Sequence, residues 1–210
     1  MIPQRSPEWF AARLGCVTAS RVSDVIAKTK SGWGASRATY MGQLIAERLT
    51  GRSSESFSNG AMQWGTDTEP AARAAYQFYT DLTVAEAGFV PHPTIALSGA
   101  SPDGMIDDDG LLELKCPNTS THIETLLGQS VPGKYIAQMQ WQMACTGRQW
   151  CDFASFDPRM PESMSLFIQR VPRDPAMIRE LEGHITVFLV ELDAKVAQLS
   201  ARYDVKREAA

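Results

Sequence analysis

Ser101-Pro102-Asp103-Gly104 and, nine residues after Asp103, Leu112-Glu113-Leu114-Lys115 are the two stretches on which the reading of this chain turns. Pro followed two residues later by Gly specifies a tight turn, so Asp103 is delivered from a turn. The second stretch reads as a strand, in which side chains alternate with period two. Glu113 and Lys115 therefore share one face, while Leu112 and Leu114 point to the other, toward a core. An aspartate, a glutamate and a lysine brought together in this way suit a hard divalent cation bound through oxygen, with an ammonium group to offset charge on a phosphate. Taken singly, either stretch has an ordinary explanation as a turn or a solvated pair; their order and spacing give them joint meaning.

At 210 residues the chain is expected to form one domain with a substantial core. Its apolar content of 44% and charged content of 21% are those of a globular protein. The longest strongly apolar run, 185–190, is far too short for a membrane span, and Met1-Ile2-Pro3-Gln4-Arg5 carries no secretory signal pattern. An intracellular location without membrane association is expected. Cys16, Cys116, Cys145 and Cys151 show no paired metal spacing and read as free thiols, and His92, His122 and His184 are scattered. The net charge of −4 argues against a bulk electrostatic grip on DNA, but its distribution is uneven. Residues 1–52 hold eight Lys or Arg against three acids, whereas 103–113 hold five acids and no base. A basic flank beside an acidic pocket suits separate holding of phosphates and metal.

Along the chain, Ser6-Pro7 through Gly15 carries the start and stop signals of a short helix. A second helix is expected from Ser20 through Ile26, a mobile loop over 29–36, a helix with the stripe Tyr40, Met41, Leu44, Ile45 and Leu49 ending at Gly51, a loop over 53–58, and a helix over 61–79. Short strands follow at 83–90, 94–98, 103–106 and 111–115, then helices near 120–128 and 134–145. Strands are expected at 149–156 and 163–171, the latter alternating through Met164, Leu166 and Ile168, before a long amphipathic helix closes the chain. The fold class is α/β: a small mixed sheet flanked by helices, with a helical N-terminal portion over 1–80, a sheet-containing core over 81–172 and a C-terminal helix over 174–200, all in a single domain spanning 1–210.

Five motifs stand in a fixed order: Trp9-x-x-x-Arg13-Leu14-Gly15 with Thr18-Ala19-Ser20; Trp64-Gly65-x-x-x-Glu69; Ser101-Pro102-Asp103-Gly104; Glu113-Leu114-Lys115-Cys116-Pro117; and Tyr135-x-x-Gln138-x-Gln140-x-x-Met143. The third and fourth match the Pro-Asp…Glu-x-Lys signature of the restriction-endonuclease-like nucleases. As a set the five resemble the phage lambda-type alkaline exonucleases, also called YqaJ-type viral recombinases, over roughly residues 6–160. The resemblance implies an Mg2+-dependent exodeoxyribonuclease, with two ions per site and Mn2+ as a substitute. It implies processive 5′→3′ digestion of duplex DNA ends to leave 3′ single-stranded tails, a ring-shaped homotrimer, a single-strand annealing protein as partner, and a phage or prophage protein acting in the bacterial cytoplasm. By motif, Asp103, Glu113, the Leu114 backbone carbonyl and Glu69 would hold metal. Lys115 would orient or help deprotonate the attacking water, and Gln138 would hydrogen-bond it. Arg13, Ser20 and Ser101 would form the 5′-phosphate pocket. Trp9 and Trp64 read as core.

Two other readings share the sequence. The same core serves endonucleases and nickases, which would cut closed circular DNA. A non-catalytic DNA-end-binding module is the third, and clustered acids beside DNA phosphates argue against it.

Overall fold

Ser6 opens the first helix, α1 (Pro7–Arg13), by accepting a hydrogen bond from the Trp9 backbone N–H, with Pro7 at the position whose own N–H would lack a partner. Gly15, at φ 67°, turns the chain out of it. Then come β1 (Val17–Thr18), a single 3₁₀ turn over Ala19–Arg21, and α2 (Val22–Val25). Residues 29–36, expected as a mobile loop, instead hold the small antiparallel pair β2 (Lys28–Thr29) and β3 (Gly32–Trp33) and the start of α3 (Ala35–Thr50). Thr29 stabilises this turn, its hydroxyl accepting from Ser31 N–H and donating to Gly32 carbonyl. The helix α3 stops at Gly51 in the left-handed conformation. The computed structural model describes residues 2–53 and 60–203, so all but the first residue of the loop expected over 53–58 lies outside the described residues, as does the tail beyond 203.

Helix α4 (Gly60–Thr80) precedes a run of short strands: β4 (Val84–Ala85), β5 (Val90–Pro91), β6 (Ser98–Ala100), β7 (Gly104–Ile106) and β8 (Gly110–Lys115). The run expected at 94–98 thus pairs four residues later. Helices α5 (Thr119–Gly128), capped by Asn118, and α6 (Gly133–Thr146), ended by Gly147, lead to β9 (Trp150–Phe156), β10 (Leu166–Pro172) and α7 (Pro175–Tyr203). Met164 is not part of the β10 alternation: it lies in a 3₁₀ turn over Glu162–Met164 and is 49% exposed.

The main sheet has the order β10-β9-β8-β7-β4, parallel between β8 and β9 and antiparallel elsewhere. A second sheet, β1-β6-β5, joins the N-terminal segment to the core through the parallel pair β1–β6. The sheet is covered on both faces. Leu111, Cys151 and Phe153 pack with residues of α2, α3, α6 and α7, whereas Leu112, Leu114, Ala154 and Phe156 pack with Ala72 and Tyr76 of α4. Burying side chains such as Trp141, Phe153, Tyr76 and Phe188 contributes roughly 1.5–3 kcal/mol each.

The uneven charge of the sequence resolves differently in three dimensions. Arg37 and Arg48 of α3 pair with Glu191 and Asp193 of α7, Arg21 with Asp24, and Arg5 with Glu69. Much of the expected basic flank therefore joins elements to one another. Asp107, Asp108 and Asp109 occupy the β7–β8 turn, at the opposite end of the hairpin from Asp103, so the acidic pocket reduces to Asp103 and Glu113 with Glu69 nearby.

Candidate active site

The β7–β8 hairpin is what brings Asp103 to Glu113. Gly104 pairs with Leu112, so Asp103 just before β7 lies beside the end of β8, and its carboxylate accepts a hydrogen bond from the Leu114 backbone N–H at 2.7 Å. Gly104 is required here: a Cβ would come within 2.2 Å of Val84. On the same face of β8, Glu113 and Lys115 form an ion pair. Gln138 donates to Glu113 Oε1 at 2.6 Å and Gln142 to Oε2 at 2.5 Å, both from α6. This glutamate is not part of a solvated pair. Glu113 is 1% exposed, because β8 is the central strand and α6 lies across its face.

Electrostatics follow from that burial. Removal from water, then the charges of Glu113 and Glu69, push the Asp103 carboxyl up to about 8, against the opposing pull of Lys115 and the Leu114 N–H. Lys115 moves the other way from an ordinary buried amine. Burial disfavours its charge, but Glu113 and Asp103 outweigh burial and hold the ammonium above its usual range. A lysine so held is placed to donate a hydrogen bond and to attract negative charge. Cys116, the next residue, is a thiol pushed up to about 12, first by burial and then by Glu69 and Asp103.

Glu69 reaches the same region from α4, one residue before Pro70, which interrupts the helix ladder there. Its Oε2 accepts from Arg5 at 2.9 Å, and its Oε1 faces Arg73 at 3.4 Å. Among the described residues no three His, Cys, Asp or Glu side chains are grouped to hold one ion. A cavity of about 530 Å³ is lined by Arg5, Thr66, Glu69, Asp103, Lys115 and Tyr135, among others. A second, of about 340 Å³, shares Arg5, Glu69 and Asp103 and extends toward Gln4, Arg73 and Glu86.

Arg13 donates to the Ser101 hydroxyl at 2.9 Å, which also accepts from the Trp9 indole N–H at 3.0 Å. The guanidinium lies 4.0 Å from the Trp9 ring centroid. Trp9 is thus a half-buried platform rather than core, and so is Trp64, whose ring lies under the Arg159 guanidinium at 4.3 Å. Ser20 is exposed, 3.4 Å from the Thr18 hydroxyl. The parallel register Thr18 to Gly99 sets Ser20 and Ser101 at the same end of that ladder, each two residues past the pair, and Asp103 two residues further.

The structure therefore groups Asp103, Glu113, Leu114, Lys115 and Gln138, joins Arg13 to Ser101, and leaves Glu69 held by arginines. Sequence reasoning missed Gln142, although it stands four residues after Gln138 and hence on the same helical face. It also missed Arg5, which carries no motif, and Gln4, whose amide donates to the Ala87 and Pro102 carbonyls at 2.9 and 2.7 Å.

Residues 8–149 match the YqaJ-like viral recombinase domain. No curated protein matches the sequence. Among solved structures, the chain is similar to an alkaline exonuclease (LHK-Exo) from Laribacter hongkongensis, with 53% identity over 94% of this chain and 97% of that one, at a TM-score of 0.88. The structure of LHK-Exo in complex with dAMP matches at 54% identity over the same shares, with a TM-score of 0.89. A phage related exonuclease from Haemophilus somnus 129PT shares the fold at 14% identity and a TM-score of 0.73, over 88% of this chain and 96% of that one.

Proposed function

Because this chain belongs to the YqaJ-like viral recombinase family, whose nucleases are exodeoxyribonucleases, we propose that it is an Mg2+-dependent exonuclease digesting duplex DNA from 5′ ends and leaving 3′ single-stranded tails for recombination. The observation that carries this reading is the convergence of Asp103, Glu113 and Lys115 beside a 530 Å³ cavity, two residues from the Arg13–Ser101 contact. The donor set fits a hard cation: burial and then the charge of Glu113 raise Asp103, a strain that a cation between the two carboxylates relieves, and Mg2+ is commonly bound through one or two carboxylates plus substrate phosphate. Asp103, Glu113 and the Leu114 carbonyl would hold it, and Glu69 would contribute its Oε1 to a second ion while Oε2 keeps Arg5. When bound, Mg2+ supplies charge stabilisation to the phosphoryl group and a more acidic water.

The chain's own residues account for the rest. Lys115, held protonated, offsets charge growing on the phosphate, and Gln138 fixes the Glu113 carboxylate that must face the reacting centre. Arg13 offers forked donors to a terminal 5′-phosphate, with Ser101 and Ser20 hydroxyls at the same ladder end, which supports attack from 5′ ends. A subunit of 23.1 kDa cannot encircle a duplex alone. Processive digestion is best served by a homotrimeric ring with head-to-tail contacts, and family membership supports that assembly and a single-strand annealing protein as partner. Linear duplexes bearing 5′-phosphate, 5′-hydroxyl or closed ends, with and without Mg2+, test the proposal. Mg2+-dependent loss of the 5′-ended strand is expected, faster from 5′-phosphate, and Arg13→Ala should narrow that preference by about ten-fold. Cutting of closed circles without ends would refute it.

A further inference from the structure

Arg5 enters the site from the segment that precedes α1. Gln4, by its paired hydrogen bonds to the carbonyls of Ala87 and Pro102, fastens this segment against the turn that carries Asp103. Arg5 itself adopts φ 66°, the left-handed conformation that costs a side chain of this size and is kept only where the surroundings impose it. It stands in the turn that Ser6 N–H closes on the Pro3 carbonyl at 3.3 Å ahead of α1, and its guanidinium lies 2.9 Å from Glu69, where it lines both cavities together with Asp103. Arg5 and Lys115 are the cations lining the larger cavity, yet they differ in occupation. Lys115 is 26% exposed and bound to a buried carboxylate; Arg5 is 50% exposed, and Glu69 is its one partner among the described residues. A guanidinium has five N–H donors, so most of them face the cavity or solvent.

An exposed arginine–glutamate pair adds little to stability, so folding alone gives no reason for the guanidinium to stand over the cavity beside Glu69. We propose that Arg5 is a catalytic residue that donates to the phosphate being cleaved, with Glu69 holding the guanidinium at the height of Asp103. The inference rests on the exonuclease reading of the site. It gives Arg5 a task separate from that of Arg13: Arg13 is joined to Ser101 and recognises the end, whereas Arg5 lines the same cavity as Lys115 and stabilises charge in the transition state.

The test is steady-state digestion of a linear 5′-phosphorylated duplex by the full chain with Mg2+, comparing wild type, Arg5→Ala and Arg5→Lys. Wild-type activity is measured alongside, so that failure of the exonuclease reading shows as an inactive wild type and failure of this inference as an unaffected variant. Arg5→Ala is expected to lower kcat by roughly ten- to a hundred-fold. Its melting temperature and its ratio of 5′-phosphate to 5′-hydroxyl rates should match wild type, since neither depends on the exposed pair. Arg5→Lys should recover part of kcat, because an ammonium keeps the charge without the fork. A wild-type kcat in Arg5→Ala would overturn the proposal, as would a variant whose whole defect is loss of the 5′-phosphate preference, which would make Arg5 an end-recognition residue.

Discussion

Asp103 and Glu113 are both carboxylates, but they respond differently to substitution because they are held differently. Asp103 prefers its proton in the folded state, at about 8 against an ordinary value of 3.8, whereas the unfolded chain releases it near that ordinary value. A raised carboxyl value means that stability present at low pH is lost as pH rises from about 4 through 8. The metal-free protein should therefore melt progressively lower across that window, and Mg2+ affinity measured by calorimetry should rise over it. At pH 9 Asp103→Asn should melt above wild type without metal while cleaving nothing; a lower melting temperature would contradict the charge account. Glu113→Ala behaves oppositely, because it strips the partner from Lys115 and the amides of Gln138 and Gln142 inside the protein. Loss of cleavage should come with a loss of several kcal/mol in a denaturant titration. Gln142→Met, matched in volume but without the donor, should cost about 1–3 kcal/mol and reduce kcat, since one oxygen of Glu113 is then unrestrained. An unchanged kcat in a folded Gln142→Met protein would remove this glutamine from the active constellation.

At the scale of elements, the sheet and helix α4 are joined by a buried hydrogen bond at their interface. The Tyr76 hydroxyl donates to Asp152 Oδ2 at 2.7 Å, and Arg170 of β10 donates to both oxygens of the same carboxylate at 2.8 and 2.9 Å. Tyr76→Phe leaves Asp152 with Arg170 and should cost about 1 kcal/mol. Asp152→Ala deprives both partners and should cost more than twice that, measured by urea denaturation. Elements defined by punctuation were readable before the structure: Pro102, Gly104 and Gly110 bracket β7 and the start of β8, Ser6-Pro7 starts α1, and Gly51 and Gly147 stop α3 and α6. The β2–β3 pair was not, because its strands are two residues each and its turn depends on the Thr29 hydroxyl. The site was legible where its residues share a strand or a motif. It was illegible where they meet through folding alone, as with Arg5 and Glu69, 64 positions apart.

For the whole molecule, the ion pairs between α3 and α7 tie the beginning of the chain to its end, so arginines expected to face DNA are already engaged. Capture of DNA then has to come from shape more than from charge, in keeping with the net −4. Light scattering at micromolar concentration should give about three times the subunit mass of 23.1 kDa. A monomer that stays processive would refute the ring. No helix among the described residues is long and apolar enough to cross a membrane. The manner in which the two carboxylates are tethered has a further, evolutionary consequence. Asp103 is held by the backbone N–H of Leu114, a group that every residue except proline provides, while Glu113 is held by the side chains of two glutamines. Random mutation can therefore loosen one carboxylate at either glutamine codon, yet it can reach the other's tether through a proline alone. Side-chain change in α6 thus reaches the grip on Glu113 directly, whereas Asp103 moves only where the backbone does, as a side chain at Gly104 would force.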